Sequence, residues 1–422
     1  MEINGIKLIV KLVAQTPMIH FQSKQLGVTL RASEVKPKLD RFIIDLIIKE
    51  EKLKGINDVK EKYPSFFRNS DLNDALDYKM HIVDNDGKKE HIDLKQFSLF
   101  YGNMGVAEED KKYGVVSNPE VTIICLNRKL REKIIENIEK FFIVTNFGTM
   151  QNKGFGSFIP ESWVSGNDRE KSQEIVVAQY FKEYMGTRCF KYVFPENKSS
   201  KEIMDFIKDF YSVMKSGYNR GENKYARSYI YQYMHKKYQK GNEKAWMKKN
   251  DIAPKVIAPS RQKLDKITDD ELDKQKGNHE YYYVRAFLGL GEKVEFGTQY
   301  NDRGFISNKQ TIEIKEKQIK DKKEKMFERL NSPILFKVVK NVVYIVANPV
   351  PDELYGVEFE FVNKKTRNRG VLSVPKKEDL TDGEFNVQDF LSEYVKYFNC
   401  ELKNNVEYFN KYKEIKEVKI NE

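Results

Sequence analysis

The chain is poor in the residues that do most metal and redox chemistry: its 422 residues include three cysteines, five histidines and two tryptophans. Cys125, Cys189 and Cys400 are odd in number and far apart, which argues against a disulfide framework and fits a reducing compartment. No Cys/His spacing suits zinc, so neither a metal nor another cofactor is expected. No apolar run approaches the ~20 residues of a membrane-spanning helix. The N-terminus reads as a strand, without the basic leader and apolar stretch of a signal peptide. These absences predict a soluble cytoplasmic protein with no membrane partner.

What the chain does have is bulk, aromatic rings and positive charge. Its length suggests about two to three domains, and with 40% hydrophobic residues it can build real cores. Its 74 Lys+Arg against 63 Asp+Glu give a formal charge of +11 and a pI near 9.1, a balance that favours a polyanionic partner.

Ile6–Val13 is β-branched and partly alternating, as in a strand. Ser33–Ile47 has helical spacing of its apolar residues, with Ser33 as N-cap and Pro37 in an early turn. Tyr78–Val83, the Asp84-Asn85-Asp86-Gly87 turn and a further short strand read as a hairpin. The Asp-x-Asp-Gly pattern lacks the distal Glu of a calcium loop, so a turn is the better reading. Val121–Leu126 reads as a buried strand and Leu130–Phe142 as an amphipathic helix. This β, α, hairpin, β, α order matches a ferredoxin-like βαββαβ unit, with a strand near Phe158 closing the sheet.

The second part repeats the theme. Cys189–Phe194 reads as a strand and Lys201–Val213 as a helix. A basic stretch follows, then an alternating run at Thr311–Ile314 and a solvated charge run at Lys315–Lys325. Strands at Ile334–Val339, Val342–Val346 and Val357–Val362 and a helix at Val387–Phe398 complete it. The expected fold class is α+β, with two ferredoxin-like domains at 1–165 and 166–422. The second carries a mainly helical insertion at about 211–330.

Between helix and closing strand lies Gln151-Asn152-Lys153-Gly154-Phe155-Gly156-Ser157-Phe158. Glycines reach φ values closed to other residues, and freed N–H groups can face phosphates. The same loop also reads as a plain tight turn whose Phe155 and Phe158 fill a core. Arg31, Lys36, Lys38 and Arg41 gather at the start of the first helix, where dipole and unpaired N–H groups already favour phosphate. A solvated polar face is the alternative. Tyr211–Asn250 holds ten Lys/Arg against two acids, with seven tyrosines interleaved. Cations neutralise phosphate and rings stack on unpaired bases. The four-residue spacing of Tyr225, Tyr229 and Tyr233 instead suggests a helix whose Tyr stripe is core and whose cations, among them Arg220, Lys224 and Arg227, face the partner, RNA or an acidic protein surface.

Three local patterns resemble the RAMP superfamily of CRISPR-associated proteins. Thr16-Pro17 followed by Leu30-Arg31-Ala32-Ser33 to Phe42 is similar to the family's first-helix motif. Lys153-Gly154-Phe155-Gly156-Ser157 is similar to its glycine-rich loop, and Arg329-Leu330-Asn331-Ser332-Pro333-Ile334 to a late strand of the large first RAMP subunit of type III-B (Cmr) complexes. Pro37 stands where the family usually has glycine, and Phe42-Ile43-Ile44 replaces its common tryptophans, so the chain is a divergent relative. The resemblance implies a subunit of a guide-RNA effector complex in antiviral defence. It would contact guide or target single-stranded RNA, and neighbouring effector subunits, without cutting. In that role Lys153, Gly154, Phe155, Gly156 and Ser157 would hold RNA backbone. A guide-processing endoribonuclease with His20 as acid/base, and a protein-only scaffold, remain as alternatives; no partner at catalytic spacing accompanies His20.

Overall fold

Alternation shapes the first strand: in Lys7–Ala14, Leu8, Val10 and Leu12 are buried while Lys7 and Lys11 are exposed. The computed structural model describes residues 1–20, 29–68, 74–84, 90–93, 113–164, 170–220, 224–226, 228–254, 262–263, 280–300, 306–317 and 330–420. The first part runs through β1 (Glu2–Asn4), β2 (Lys7–Ala14), α1 (Ala32–Glu51), α2 (Ile56–Lys62), β3 (Lys79–Val83), β4 (Glu90–Asp93), β5 (Tyr113–Val116), β6 (Glu120–Ile124), α3 (Arg128–Val144) and β7 (Phe158–Pro160). Next come α4 (Glu170–Met185), β8 (Cys189–Val193), α5 (Ser200–Lys215), β9 (Tyr218–Arg220), β10 (Lys224–Ala226), α6 (Tyr229–Tyr238), β11 (Gly241–Asn242) and α7 (Glu243–Lys249). The remainder holds β12 (Gln262–Lys263), β13 (Tyr281–Tyr282), β14 (Lys293–Tyr300), β15 (Ile306–Glu316), β16 (Ile334–Val339), β17 (Val342–Ala347), β18 (Glu358–Asn363), β19 (Arg369–Ser373), α8 (Val387–Tyr397) and β20 (Lys416–Glu417). The protein is α+β.

The first sheet has the order β7-β2-β6-β3 with β1 added beside β2, and all of its pairings are antiparallel. Helices α1 and α3 cover one face. Val35, Leu39, Phe42, Ile43, Leu46 and Ile47 of α1 lie at helical spacing and are buried. Phe42 meets the ring of Phe141 on α3, and Phe142, Phe147 and Phe158 extend that stack. Burying one such ring stabilises by roughly 1.5–3 kcal/mol. Helix α1 begins earlier than its serine suggested: Arg31, not Ser33, is the N-cap, and it makes no side-chain cap. In α3 the cap is Asn127, whose side chain accepts from the Leu130 N–H at 3.1 Å.

Two sequence expectations change here. β3 and β4 do not form a hairpin: β3 pairs with β6, and β4 with β5. A central strand with an apolar face outcompetes the local turn signal, and residues 85–89 of that turn lie outside the described ones. The insertion is also not mainly helical: among the described residues it supplies α6 and α7 but also β14 and β15, which join β18 and β19 in a four-stranded antiparallel sheet.

The second sheet has the order β16-β17-β8-β20, again antiparallel throughout. Every residue of β16 and β17 is buried, because both faces are covered. Ile334, Phe336, Val338, Val343 and Ile345 turn towards α5 and α8; Leu335, Val339, Val342, Tyr344 and Val346 turn towards the core that α1, α3 and α4 share. The second sheet is thus a common wall between the two cores. Helix α5 starts in a complete capping box, Ser199 with Glu202.

Candidate nucleic-acid interface

The glycine loop sits on that wall. Gly154 and Gly156 have φ of +83° and +63°, and a Cβ on Gly156 would lie 1.9 Å from the Phe147 carbonyl oxygen. The amides of Gly154, Gly156 and Ser157 are spent within the protein. Gly154 N–H donates to Gln151 O (3.2 Å), Gly156 N–H to Pro17 O (2.9 Å) and Ser157 N–H to Thr16 Oγ1 (3.0 Å). Thr16 Oγ1 in turn donates to Gly154 O at 2.6 Å. Across the wall, Phe336 N–H donates to Asn152 O (3.1 Å), Ser157 Oγ to Val338 O (2.7 Å) and Asn152 Nδ2 to Ser332 O (2.6 Å). Phe155 and Ser157 are fully buried. The expectation that these amides face RNA phosphate is therefore corrected: the loop is a clasp that fastens the first part of the chain onto β16. Lys337 completes it. Its fully buried Nζ, whose pKa burial drives well down, lies at hydrogen-bond distance from Phe142 O (2.8 Å), Thr145 O (2.9 Å) and Phe158 O (3.0 Å), closing the C-terminal end of α3 from the opposite sheet.

The cations at the start of α1 divide into two kinds. Lys36 donates to Asp40 (2.8 Å) and Leu76 O (2.9 Å) and lies 4.1 Å from the Tyr78 ring centre. Lys38 donates to Gln151 Oε1 (2.6 Å), Asn146 O (3.0 Å) and Glu34 (3.3 Å), and burial lowers its pKa against the pull of Glu34. Both are ties within the fold. Glu34 also accepts from the Gly148 N–H. Arg31 and Arg41 are exposed. Lys38 is thus tied into the fold, while Arg41 faces solvent.

His20 is 8% exposed, beside Arg31 and Glu34. Burial and the Arg31 charge lower its pKa from the usual 6.5, with Glu34 opposing, so the imidazole is neutral at pH 7. A neutral imidazole can accept a proton; among the described residues the charged groups that act on it are Arg31 and Glu34, and Glu34 also accepts from Lys38 and the Gly148 N–H.

A second group of cations meets where the glycine loop faces α5 and the short turn Val284–Leu288. Lys153 stands 4.7 Å from the centre of the Tyr211 ring, and burial pushes its pKa down to about 8. Lys215, at the end of α5, donates to Leu288 O (3.0 Å) and Gly289 O (2.6 Å), and Tyr211 OH donates to the same Leu288 O at 2.8 Å. Its pKa is driven well down by burial and by the nearby charges of Lys153 and Arg285. Arg285 bonds through Nε to Glu243, whose Oε1 also accepts from Tyr231 OH at 2.7 Å. Hairpin β9–β10 begins three residues beyond Lys215 and sets Arg220 opposite Lys224; Arg227 lies outside the described residues.

Of the tyrosine stripe, Tyr229 and Tyr233 are buried on α6 against Phe390, while Tyr225 belongs to β10 and not to that helix. Composition alone did not single out Arg285 and Lys337. The available signal was a lone cation inside an apolar run, Tyr281-Tyr282-Tyr283-Val284-Arg285-Ala286-Phe287-Leu288 and Ile334-Leu335-Phe336-Lys337-Val338-Val339. Among the described residues no cluster of three or more His, Cys, Asp or Glu could hold a metal, and no helix is long and apolar enough to cross a membrane. A cavity of about 240 Å³ lies apart from these cations, at the start of α8, with Arg188, Tyr355 and Asn386 in its lining.

Residues 5–218 match the family model described as the Cmr1 N-terminal domain, and residues 225–417 match the one described as the Cmr1 C-terminal domain. Among solved structures, the chain is similar to the apo crystal structure of Cmr1 from Pyrococcus furiosus: 11% identity, 63% of this chain, 79% of that chain and a TM-score of 0.33. It is also similar to a chain in the cryo-EM structure of the type III-B Cmr-beta bound to cognate target RNA, with 12% identity, 37% of this chain, 58% of that chain and a TM-score of 0.21. No curated protein matches.

Proposed function

The chain belongs to the Cmr1 family, and on that premise we propose that it is an RNA-binding, non-cleaving subunit of a type III-B CRISPR effector ribonucleoprotein. Its partners in this reading are single-stranded RNA, guide or target, and neighbouring effector subunits, and its compartment is the cytoplasm. The antiparallel orders β7-β2-β6-β3 and β20-β8-β17-β16 both follow the fourth-first-third-second pattern of a split βαβ unit, which supports two ferredoxin-like RAMP domains. The boundary near residue 165 is part of the same proposal, although α4 buries Val177 and Phe181 in the first core.

The observation that carries the reading is the group formed by Lys153, Lys215 and Arg285, with the β9–β10 hairpin directly after Lys215. Half-buried cations focus a field on a passing phosphate more strongly than solvated ones do. Arg31 and Arg41 add exposed charge. The glycine loop acts indirectly, by holding Lys153 in place.

The test is binding of labelled single-stranded RNA to the purified chain. The reading expects binding that weakens as salt rises and no metal-independent cleavage. Site-specific cleavage of repeat RNA that His20→Ala abolishes would overturn the non-cleaving part, and absent RNA affinity would favour a protein-only scaffold.

A further inference from the structure

The cavity of about 240 Å³ at the start of α8 is built by three segments that the second sheet brings together. β8 and β17 are antiparallel neighbours with Cys189 opposite Val346, so Arg188, just before β8, and Asn348 to Val350, just after β17, emerge at the same end of the sheet. Residues 384–388 bring in the start of α8. Each segment is held in place. Arg188 bonds Asp389 through its guanidinium (2.7 Å) and Gln388 Oε1 through its N–H (3.3 Å), and Gln388 Nε2 donates to Gly186 O (3.2 Å). Tyr355 OH accepts from the Phe385 N–H at 2.9 Å, and the Phe385 ring stacks on Phe287 with centres 4.7 Å apart. Walls fixed before anything enters lower the ordering cost of binding.

The lining has an apolar part and a polar part. Val350 and Phe385 are 8% and 2% exposed, and Pro349, Val387 and Tyr355 join them. The Asn348 side chain has no hydrogen-bond partner among the described residues, and Asn386 spends its Oδ1 on the Gln388 and Asp389 N–H groups while its Nδ2 stays unused. Tyr355 OH, an acceptor for Phe385, still has its own hydrogen to give. These groups are not sealed in; they line an open cavity that water reaches. The charges there do not suit an anion. Asp389 meets the Arg188 guanidinium, and the exposed Glu384 adds a carboxylate with no ion pair among the described residues. The volume is below the roughly 300–1,000 Å³ of sites for drug-sized ligands, so one small ring system fills it.

We propose that this cavity takes a single unstacked nucleobase that carries an exocyclic amine, with Asn348 and Glu384 on its hydrogen-bonding edge and Val350, Tyr355 and Phe385 as its apolar surroundings. An amide side chain donates and accepts in one plane, as a base edge does, and a carboxylate accepts from an exocyclic amine. A carbonyl in place of that amine, as in uracil, sets oxygen against the Glu384 oxygens and weakens binding. Single-stranded RNA is read in this manner, through bases splayed out of the stack. The other occupant of similar size is an aromatic side chain of a protein. A plain ring of that kind would strip water from Asn348, Asn386 and Glu384 and return no hydrogen bond, which is unfavourable. The pocket deepens the RNA-binding reading and rests on it for the source of the base.

The experiment uses the full-length chain with oligocytidylate and oligouridylate of equal length at neutral pH. The two carry equal charge and differ along one edge of each base. Wild type is expected to bind oligocytidylate about fivefold more tightly or better, and millimolar cytidine, but not uridine, is expected to raise its thermal midpoint. Asn348→Leu removes the amide and keeps the main-chain bond from Asn348 N–H to Pro333 O at 2.9 Å. It is expected to bind both RNAs alike, with the salt dependence of wild type. Glu384→Gln, at an exposed position, is expected to narrow the preference as well. Equal affinity of wild type for the two RNAs, or a preference that both folded variants keep, overturns the pocket and leaves RNA binding standing. A cytidine-specific gain in a chain that binds neither RNA upholds the pocket and overturns RNA as its source. Absent base preference in wild type, with weaker co-elution of Asn348→Leu with another effector subunit, assigns the cavity to a protein side chain and overturns the base.

Discussion

Replacing Gly156 by alanine puts a methyl group 1.9 Å from the Phe147 carbonyl oxygen, in a residue with φ of +63°. The left-handed conformation alone costs an L-residue about 1–2 kcal/mol. Ordinary contact begins near 3.4 Å, so the loop has to retreat by about 1.5 Å from a backbone atom that cannot rotate away. Such a shift stretches the Gly156–Pro17, Ser157–Thr16 and Ser157–Val338 hydrogen bonds, now 2.9, 3.0 and 2.7 Å, past the limit of a useful bond. At about 1 kcal/mol each, their loss brings the expected destabilisation to roughly 4–5 kcal/mol. Gly383→Ala is the control: its φ is +73° and a Cβ there meets nothing within 4 Å, so only the conformational part applies. The assay is urea unfolding followed by tryptophan fluorescence. Trp163 reports the first core and Trp246 packs against Phe361 in the second part, so single-tryptophan versions read the two sides separately. A Gly156→Ala midpoint no lower than that of Gly383→Ala would refute the clasp.

Other expectations follow from the same contacts. Lys337→Met removes the donor to three carbonyls at once, two of those bonds being fully buried, and is expected to destabilise by at least about 2 kcal/mol in urea unfolding. Lys153 ionises near 8 when folded and at 10.5 when unfolded, so the folded chain binds fewer protons between those values. The stability of wild type relative to Lys153→Met is therefore expected to rise from pH 8 towards 10.5, as read by midpoints across that range. Arg31→Glu/Arg41→Glu is expected to weaken RNA binding with less than about 0.5 kcal/mol change in stability, as for exposed sites generally. Lys36→Met/Lys38→Met is expected to lower stability, because both lysines hold the fold together. Paired RNA titration and urea unfolding separate the two outcomes.

Strands with one buried face and helices with a regular apolar stripe were legible in the sequence, and so β2, α1, α3 and α5 fall within a few residues of where periodicity put them. β16 and β17 showed as continuous apolar runs because both of their faces are covered. The partners of the glycine loop were not legible. Thr16 and Pro17 lie well over a hundred residues upstream, and Ser332, Phe336 and Val338 lie as far downstream. Local chemistry showed that the backbone there is unusual, but the acceptors that consume its amides come from tertiary structure. The same applies to Lys36 and Lys38, which look like surface charge in a helical register until Leu76 and Gln151 are brought to them. The β3–β4 hairpin failed for a related reason: Asp-Asn-Asp-Gly marks a turn, but strand pairing follows the central strand β6.

The most direct test of RNA binding at the group of Lys153, Lys215 and Arg285 is the salt dependence of single-stranded RNA affinity for the full-length chain. About four neutralised phosphates give a slope of log K against log salt near −2.8, or roughly fifty-fold weakening between 50 and 200 mM. Neutralising Lys153 and Lys215 is expected to flatten the slope by about 0.7 for each phosphate that no longer meets a cation. A flat salt response in wild type, or a slope that these substitutions leave unchanged, would contradict the account.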